Sequence, residues 1–220
     1  GAQMLLCHIG RVLRRVHGMH VRFLLLGAGD LIGRYRKEGE VDIVTEGEEK
    51  LALHVTGLAN EGFRRAIVNT AAASSVSGFL DASGIGFIQL VHELSSIISA
   101  RNLGGFLARS MELAQCTVFP SEYVAGCIKQ DIKDYSAENL ILPQGLYADV
   151  SYAARSRIAM RQSLGVEQKD RVILASGYGD MRKGFDLFLQ LWRQTEEKRQ
   201  DQSLTHLVWT GDIDPEIRRW

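Results

Sequence analysis

The decapeptide Gly177-Tyr-Gly-Asp-Met-Arg-Lys-Gly-Phe-Asp186 follows the apolar run Val172-Ile-Leu-Ala175 and precedes Leu187-Phe-Leu-Gln-Leu-Trp192, whose spacing is helical. A strand that ends in glycines and passes through Arg182 and Lys183 into a helix brings backbone N–H groups, a helix dipole and two cations together. That is the chemistry of a phosphate-binding loop. The same residues also fit an ordinary strand-to-helix turn with two solvated cations, because short glycine-rich motifs recur by chance. A second candidate is His92-Glu93, at the carboxyl end of the run Gly86-Phe-Ile-Gln-Leu-Val91. In open α/β sheets ligands bind beyond the carboxyl ends of the strands, and Asn69 and Thr70 hold the equivalent place one strand earlier. A histidine in that position serves either as an acid–base group or as a capping side chain bonded to backbone.

Composition restricts what such sites can bind. Twenty-six basic residues are matched by 26 acidic ones, so no global field recruits nucleic acid or an anionic membrane. An anionic ligand has to be held locally. Cys7, Cys116 and Cys127 form neither a CxxC pair nor a zinc set with nearby histidines, which points to a reducing, cytosolic compartment and to no metal centre. No apolar run approaches the roughly 20 residues of a membrane span, and Arg11, Arg14 and Arg15 interrupt the only candidate leader. A hydrophobic content of 45% over 220 residues is enough to bury the core of one large domain or two modest ones.

The candidate residues must be carried by regular elements, and an α-then-β rhythm supplies them. Met4, Leu5, Ile9, Val12, Leu13 and Val16 share one face of a helix ended by Gly18, with the arginines opposite as a solvated face. Residues 21–26 read as a buried parallel strand stopped by Gly-Ala-Gly. The glycines at 27, 29 and 33 approach a dinucleotide fingerprint, but the third falls one residue late, so the stretch reads as a strand exit and turn. A short strand is expected at 41–44 and another short element over 50–57, with Glu46, Glu48 and Glu49 marking a solvated loop or a helix start. From there the pattern predicts strands at 65–69, 86–91, 116–120 and 139–143, and a small-residue helix over 70–80. It also predicts a helix over 100–114 interrupted at its start by Gly104-Gly105, and a helix to 132 capped by Ser121. Gln144-Gly145 reads as a turn. Apolar periodicity then lapses over 146–156, which sets domains at 1–150 and 151–220. The second domain reads as a helix over 156–164, a strand at 171–175, a helix to about 198, a polar loop at 200–203 and a strand at 204–210. Two strands and two helices are too few to cover both faces of a doubly wound sheet, so this domain reads as truncated. The rhythm also calls for a strand before Gly1.

Four phrases in this order carry a family likeness: Val91-His92-Glu93 at a strand end, Val118-Phe-Pro-Ser121 opening a helix, Leu142-Pro-Gln-Gly145 before a crossover, and Gly177 to Gly184. Together they resemble the retaining GT-B glycosyltransferases of the "group 1" type, and the resemblance spans nearly the whole chain. It implies an α/β fold of two Rossmann-like parallel-sheet domains facing a cleft. A UDP- or GDP-linked sugar would be held mainly by the second domain and a glycan or lipid-linked acceptor by the first. The implied reaction is hexosyl transfer to an acceptor hydroxyl with retained configuration, without an obligatory metal or resident cofactor. On this likeness Lys183 corresponds to the lysine on the donor diphosphate. Arg182 stands in for an arginine that the family carries a few residues earlier, where this sequence has Tyr178 and Gly179. His92 corresponds to the histidine near the transferred sugar, with Glu93 beside it as a catalytic candidate. Gly1 and Gly177 fall in the loops that approach the donor phosphates, and Asn69, Ser121, Gly145 and Tyr178 line the cleft. The family's downstream glutamate pair would lie after Trp220, so this stretch is expected to fold but to show little transferase activity. A cytoplasmic enzyme of polysaccharide assembly, with at most peripheral contact at the inner membrane face, fits this reading.

Three rival readings use the same residues. Asp212-Ile-Asp214 resembles the Asp-x-Asp metal site of the other glycosyltransferase fold, where Mn²⁺ or Mg²⁺ bridges carboxylate and diphosphate. A non-catalytic Rossmann-like module that binds a nucleotide or a protein would share the strand-end glycines. A nucleotide-sugar epimerase on the GT-B plan would share the phosphate clamp.

Overall fold

Helix α1 (Ala2–Arg15) docks on strand β1 (Arg22–Leu25) through Cys7 and Gly10. A Cβ on Gly10 would lie 2.3 Å from Phe23 Cζ, so this close approach requires glycine. The computed structural model describes residues 1–45, 47–132, 138–145, 151–197 and 204–219. The expectations for Glu46, for 146–150 and for the 200–203 loop lie outside them. Two compact units are present, Gly1–Asp149 and Val150–Trp220.

Where a turn was expected after β1, the chain forms helix α2 (Ile32–Glu38). Tyr35 and Glu38, three residues apart, point inward together, while Arg34, Arg36 and Lys37 stay in solvent. Tyr35 sets its ring edge against Phe23 at 4.8 Å and donates its hydroxyl to Gln3 O at 2.6 Å. Burial pushes its phenol up to about 12. The arginines of α1 are not simply a solvated face. Arg11 Nε lies 2.9 Å from Glu38 Oε1 and Arg15 Nη2 lies 3.0 Å from Glu38 Oε2, and the glutamate side chain is only 4% exposed. A buried carboxylate needs countercharge, and these two helical neighbours, four residues apart, supply it. Burial alone would raise the Glu38 pKa, but the hydrogen bonds and charges of Arg11 and Arg15 outweigh it and hold it below the ordinary value.

Strand β2 (Glu40–Ile43) pairs in parallel with β1, in register from Arg22 opposite Glu40 to Leu25 opposite Ile43. The short element expected over 50–57 is a full 14-residue helix, α3 (Gly47–Asn60). Leu51, Val55 and Ala59 recur every four residues on its buried face, and Glu48 and Glu49 complement the dipole of its first turn. That face packs on β3 (Arg65–Asn69), whose Val68 joins the same core cluster.

The small-residue segment after β3 is not one helix. Residues Ala71–Val76 form a 3₁₀ turn that passes into α4 (Ser77–Ala82). Serine hydroxyls divert the backbone there: Ser77 Oγ donates to Ser74 O at 2.8 Å, and Ser74 Oγ is drawn to a buried glutamine. Strand β4 (Gly86–Leu90) follows. The helix expected over 100–114 is found as α6 (Gly104–Leu113), and a further short helix, α5 (Ser95–Ala100), precedes it. Asn102, at φ 54°, takes the left-handed conformation that closes α5, and Gly104 opens the next helix instead of interrupting it.

Strand β5 (Cys116–Phe119), helix α7 (Glu122–Asp131) and strand β6 (Glu138–Ile141) complete a four-stranded parallel sheet in the order β3-β4-β5-β6. Phe119, Val91, Leu107, Met111 and Ile128 form a second core between this sheet and helices α5 to α7. In the unit Val150–Trp220, helix α8 (Ala154–Ser163) leads to β7 (Arg171–Ser176). A 3₁₀ turn (Met181–Lys183) and helix α9 (Phe185–Glu197) connect β7 to β8 (Thr205–Thr210), which pairs with it in parallel. Asp170 anchors the start of this pair by accepting from Leu204 N at 3.0 Å and meeting His206 Nε2 at 3.1 Å. Every strand pairing observed is parallel, as the α-then-β rhythm predicts.

The Glu38 pairs make stability depend on pH. A carboxyl whose folded pKa is depressed contributes stability that is fully present above its ordinary value of 4.5 and is lost as pH falls through the folded value. Replacing Glu38 by Gln should lower stability by about 1–3 kcal/mol at neutral pH, and the gap from the wild type should narrow as pH falls below 4.5, measured by urea unfolding at each pH.

Candidate functional site at the strand ends

The carboxyl ends of β3 and β4 bring four of the expected residues together. His92, just beyond β4, places Nε2 2.9 Å from Asn69 Oδ1 at the end of β3. Asn69 is oriented in turn because its Nδ2 donates to Ala2 O in the first turn of α1, at 3.1 Å. With its amide nitrogen committed there, Asn69 offers His92 only an oxygen, so the imidazole carries its proton on Nε2. The other ring nitrogen accepts from Gln144 Nε2 at 2.6 Å. Burial lowers the His92 pKa below its ordinary 6.5, with the nearby Glu93 charge partly opposing that shift. At neutral pH the ring is therefore neutral, with both nitrogens in hydrogen bonds.

Glu93 has a different role from the one its position suggests. One carboxylate oxygen, Oε2, accepts from the backbone N–H of Ala71 and of His92, each at 3.1 Å. It ties the turn after β3 to the turn after β4. Immediately before the first of these anchors stands Thr70, at φ 81° and ψ 153°, a conformation that costs a non-glycine residue about 1–3 kcal/mol. Gln89 secures the other side of Thr70. It is 0% exposed; its Nε2 donates to Thr70 O at 3.2 Å and Leu90 O at 2.9 Å, and its Oε1 accepts from Ser74 Oγ at 3.2 Å and Ser110 Oγ at 2.6 Å. Residue 89 signals itself in the sequence as a polar side chain in the middle of a strand that reads as buried, and Gln144 lies inside the Leu-Pro-Gln-Gly phrase. Only the fold shows what either one touches.

The remaining candidates of this unit are simpler. Ser121 caps α7, its Oγ accepting from Val124 N at 3.3 Å, so its hydroxyl oxygen is engaged at the helix start. Gly1 is the exposed N-cap of α1, its carbonyl accepting from Leu5 N at 3.0 Å, and Gly145 is exposed next to Gln144.

In the unit Val150–Trp220 the glycine-rich loop lies at the end of β7, as predicted, but its backbone does not form an open cradle. Gly177 N donates to Thr210 O, Gly179 N to Asp212 O, Gly184 N to Met181 O and Phe185 N to Asp180 O. Asp180 caps the 3₁₀ turn by accepting from Lys183 N at 2.8 Å. The expectation that N–H groups, dipole and two cations converge on one anion is corrected accordingly: these N–H groups are already bonded, two within the loop and two to the end of β8 and the segment after it. Arg182 and Lys183 precede α9 instead of opening it. Packing explains the arrangement, because the loop lies against the segment after β8. A Cβ on Gly211 would sit 2.2 Å from Gly177 O, and Gly179 pairs with Ile213. Gly177 itself, at φ 143°, has the backbone freedom of glycine.

The two cations differ. Arg182 Nη2 lies 3.7 Å from Asp180 Oδ2, whereas Lys183 makes no ion pair among the described residues, and its stem lies over Gly177. Tyr178 is exposed, with its hydroxyl 3.5 Å from Asp214 Oδ2, and Asp214 Oδ1 accepts from Glu216 N at 2.9 Å. Both oxygens of the Asp214 carboxylate thus have protein partners. Among the described residues no group of three or more His, Cys, Asp and Glu side chains is placed to hold a metal ion. None of the described helices is long and apolar enough to cross a membrane.

No protein-family model matches the sequence, and no curated protein matches it. Among solved structures, the crystal structure of Anabaena Alr3699/HepE in complex with UDP and glucose aligns with a TM-score of 0.78 at 14% identity. The alignment covers 100% of this chain and 60% of that one, so the chain spans 60% of the length of the structure it resembles. The shared feature is the fold, an α/β architecture of the GT-B kind with Rossmann-like parallel sheets.

Two expectations follow from this geometry. Replacing Gln89 by Leu strands the Ser74 and Ser110 hydroxyls and releases Thr70, and should destabilise the protein by about 2–4 kcal/mol in urea titrations. In NMR titrations His92 should have a pKa below 6.5, and Glu93→Gln, which removes the charge that raises it, should lower it further. The matching stability contribution is present above 6.5 and is lost as pH falls through the folded value.

Proposed function

We propose that the chain belongs to a retaining glycosyltransferase that moves a hexose from a UDP- or GDP-linked donor to a hydroxyl of a glycan or lipid-linked acceptor. The observation that carries the proposal is the fold likeness, over the full length of this chain, to a protein whose structure contains UDP and glucose. The residues on both units support it. When a glycosidic bond to a nucleoside diphosphate breaks, negative charge develops on the departing phosphate, and a preorganised cation stabilises that charge most where it grows. Lys183 is the group suited to this, as a point charge in the turn after β7 with no competing carboxylate in contact among the described residues. Arg182 is secondary because Asp180 shares its charge.

On the other unit, the neutral His92, with its two ring nitrogens bonded to Asn69 and Gln144, fits a role in orienting its neighbours and is poorly suited to delivering a proton at neutral pH. Asn69, Glu93 and Gln89 act as positioning residues: Asn69 sets the tautomer, Glu93 ties the two turns and Gln89 holds the strained backbone. The acceptor is proposed to be used at the cytoplasmic side of a membrane, as part of polysaccharide assembly. The three cysteines, all of them free, support a reducing compartment.

Calorimetric titration with UDP tests the core of the reading. Lys183→Ala should raise the dissociation constant of UDP about tenfold or more, Lys183→Arg should keep most of the affinity, and Arg182→Ala should have the smaller effect. Equal UDP affinity in the wild type and Lys183→Ala would remove the lysine from the donor site.

A further inference from the structure

We propose that Gln144 is the sugar-reading end of a polarity-locked relay that runs Ala2–Asn69–His92–Gln144, an assignment that rests on the glycosyl-transfer reading. Each link determines the next. The carbonyl of Ala2 accepts from Asn69 Nδ2, which turns Asn69 Oδ1 toward the imidazole. An acceptor at Asn69 places the proton on His92 Nε2 and leaves Nδ1 as an acceptor only. Gln144 must then aim its nitrogen at Nδ1, which it does at 2.6 Å. The amide is left with its Oε1 and its second N–H unused by the imidazole, on a side chain that is exposed.

A freely rotating surface glutamine presents donor and acceptor interchangeably. Here a chain of three hydrogen bonds beginning at a backbone carbonyl fixes which atom is which. A fixed amide with one donor and one acceptor in a plane matches two neighbouring hydroxyls of a pyranose, each of which can donate and accept. The relay thereby turns Gln144 into a specificity-determining residue for the sugar without giving it any part in bond breaking.

The test compares UDP-glucose with UDP, since only the former carries the hydroxyls. Gln144→Ala should raise the dissociation constant of UDP-glucose about tenfold and leave that of UDP unchanged. Asn69→Leu, which removes the lock without removing the amide, should produce a loss in the same direction, also confined to UDP-glucose. Gln144→Glu replaces the donor at Nδ1 with an acceptor, so His92 should gain a second proton and its pKa should rise. Long-range ¹H–¹⁵N spectra of the ligand-free protein should show His92 as the Nε2–H tautomer. A purely structural glutamine would give the same tautomer but would leave the ratio of UDP-glucose to UDP affinity unmoved.

An unchanged ratio of UDP-glucose to UDP affinity in Gln144→Ala would overturn the assignment while leaving the glycosyl-transfer reading intact. So would a wild-type His92 that carries its proton on Nδ1. A wild type that binds neither UDP, UDP-glucose nor their GDP counterparts would remove the glycosyl-transfer reading and this assignment with it.

Discussion

A carboxamide with no access to water must satisfy its donors and acceptor inside the protein or destabilise the fold, and Gln89 meets that constraint with four bonds. Those bonds join the middle of β4 to the 3₁₀ turn after β3, to helix α6 and to the carbonyl of Thr70. Much of the geometry at the strand ends depends on them. Thr70 occupies a conformation it would leave if free, and it persists because Gln89 holds its carbonyl while Glu93 holds the next N–H. The direction in which Asn69 leaves β3 follows from that turn, and the orientation of His92 follows from Asn69.

Helix α1 is fixed from both ends by this logic. At its start Ala2 O receives Asn69, and near its end Arg11 and Arg15 close on the buried Glu38 of α2. Gly10 lets the middle of the helix lie directly on Phe23. A displacement of α1 would be felt at His92 through two hydrogen bonds, so the packing of a helix remote in sequence sets the tautomer of the imidazole.

The loop after β7 handles its electrostatics differently. Its amides bond within the loop and to the segment after β8, which makes the backbone rigid but leaves little of it for an anion. Charge recognition therefore falls to side chains. Asp180 uses one carboxylate to cap the turn and to temper Arg182, which leaves Lys183 as the uncompensated cation among the described residues of the loop. A lysine in this setting neutralises a phosphate as a point charge and does not impose the two-pronged geometry of an arginine.

The sequence by itself determined the order of the strands, the parallel character of the sheets and the placement of His92 and Lys183 beyond strand ends, but not helices α2 and α5. Those properties arise from local periodicity, from glycine and serine at element ends, and from the rule that open sheets bind ligands at carboxyl ends. It misread the segments where a side chain overrides local propensity: the 3₁₀ turn drawn out by Ser74 and Ser77, the break at Asn102, and the arginine face of α1 captured by Glu38. Tertiary structure alone decided the wiring of the site. His92 and Gln144 are 52 residues apart and Asn69 and Ala2 are 67 apart. No local pattern encodes such partners, because a hydrogen bond forms only between groups that packing has brought within about 3 Å and cut off from competing water.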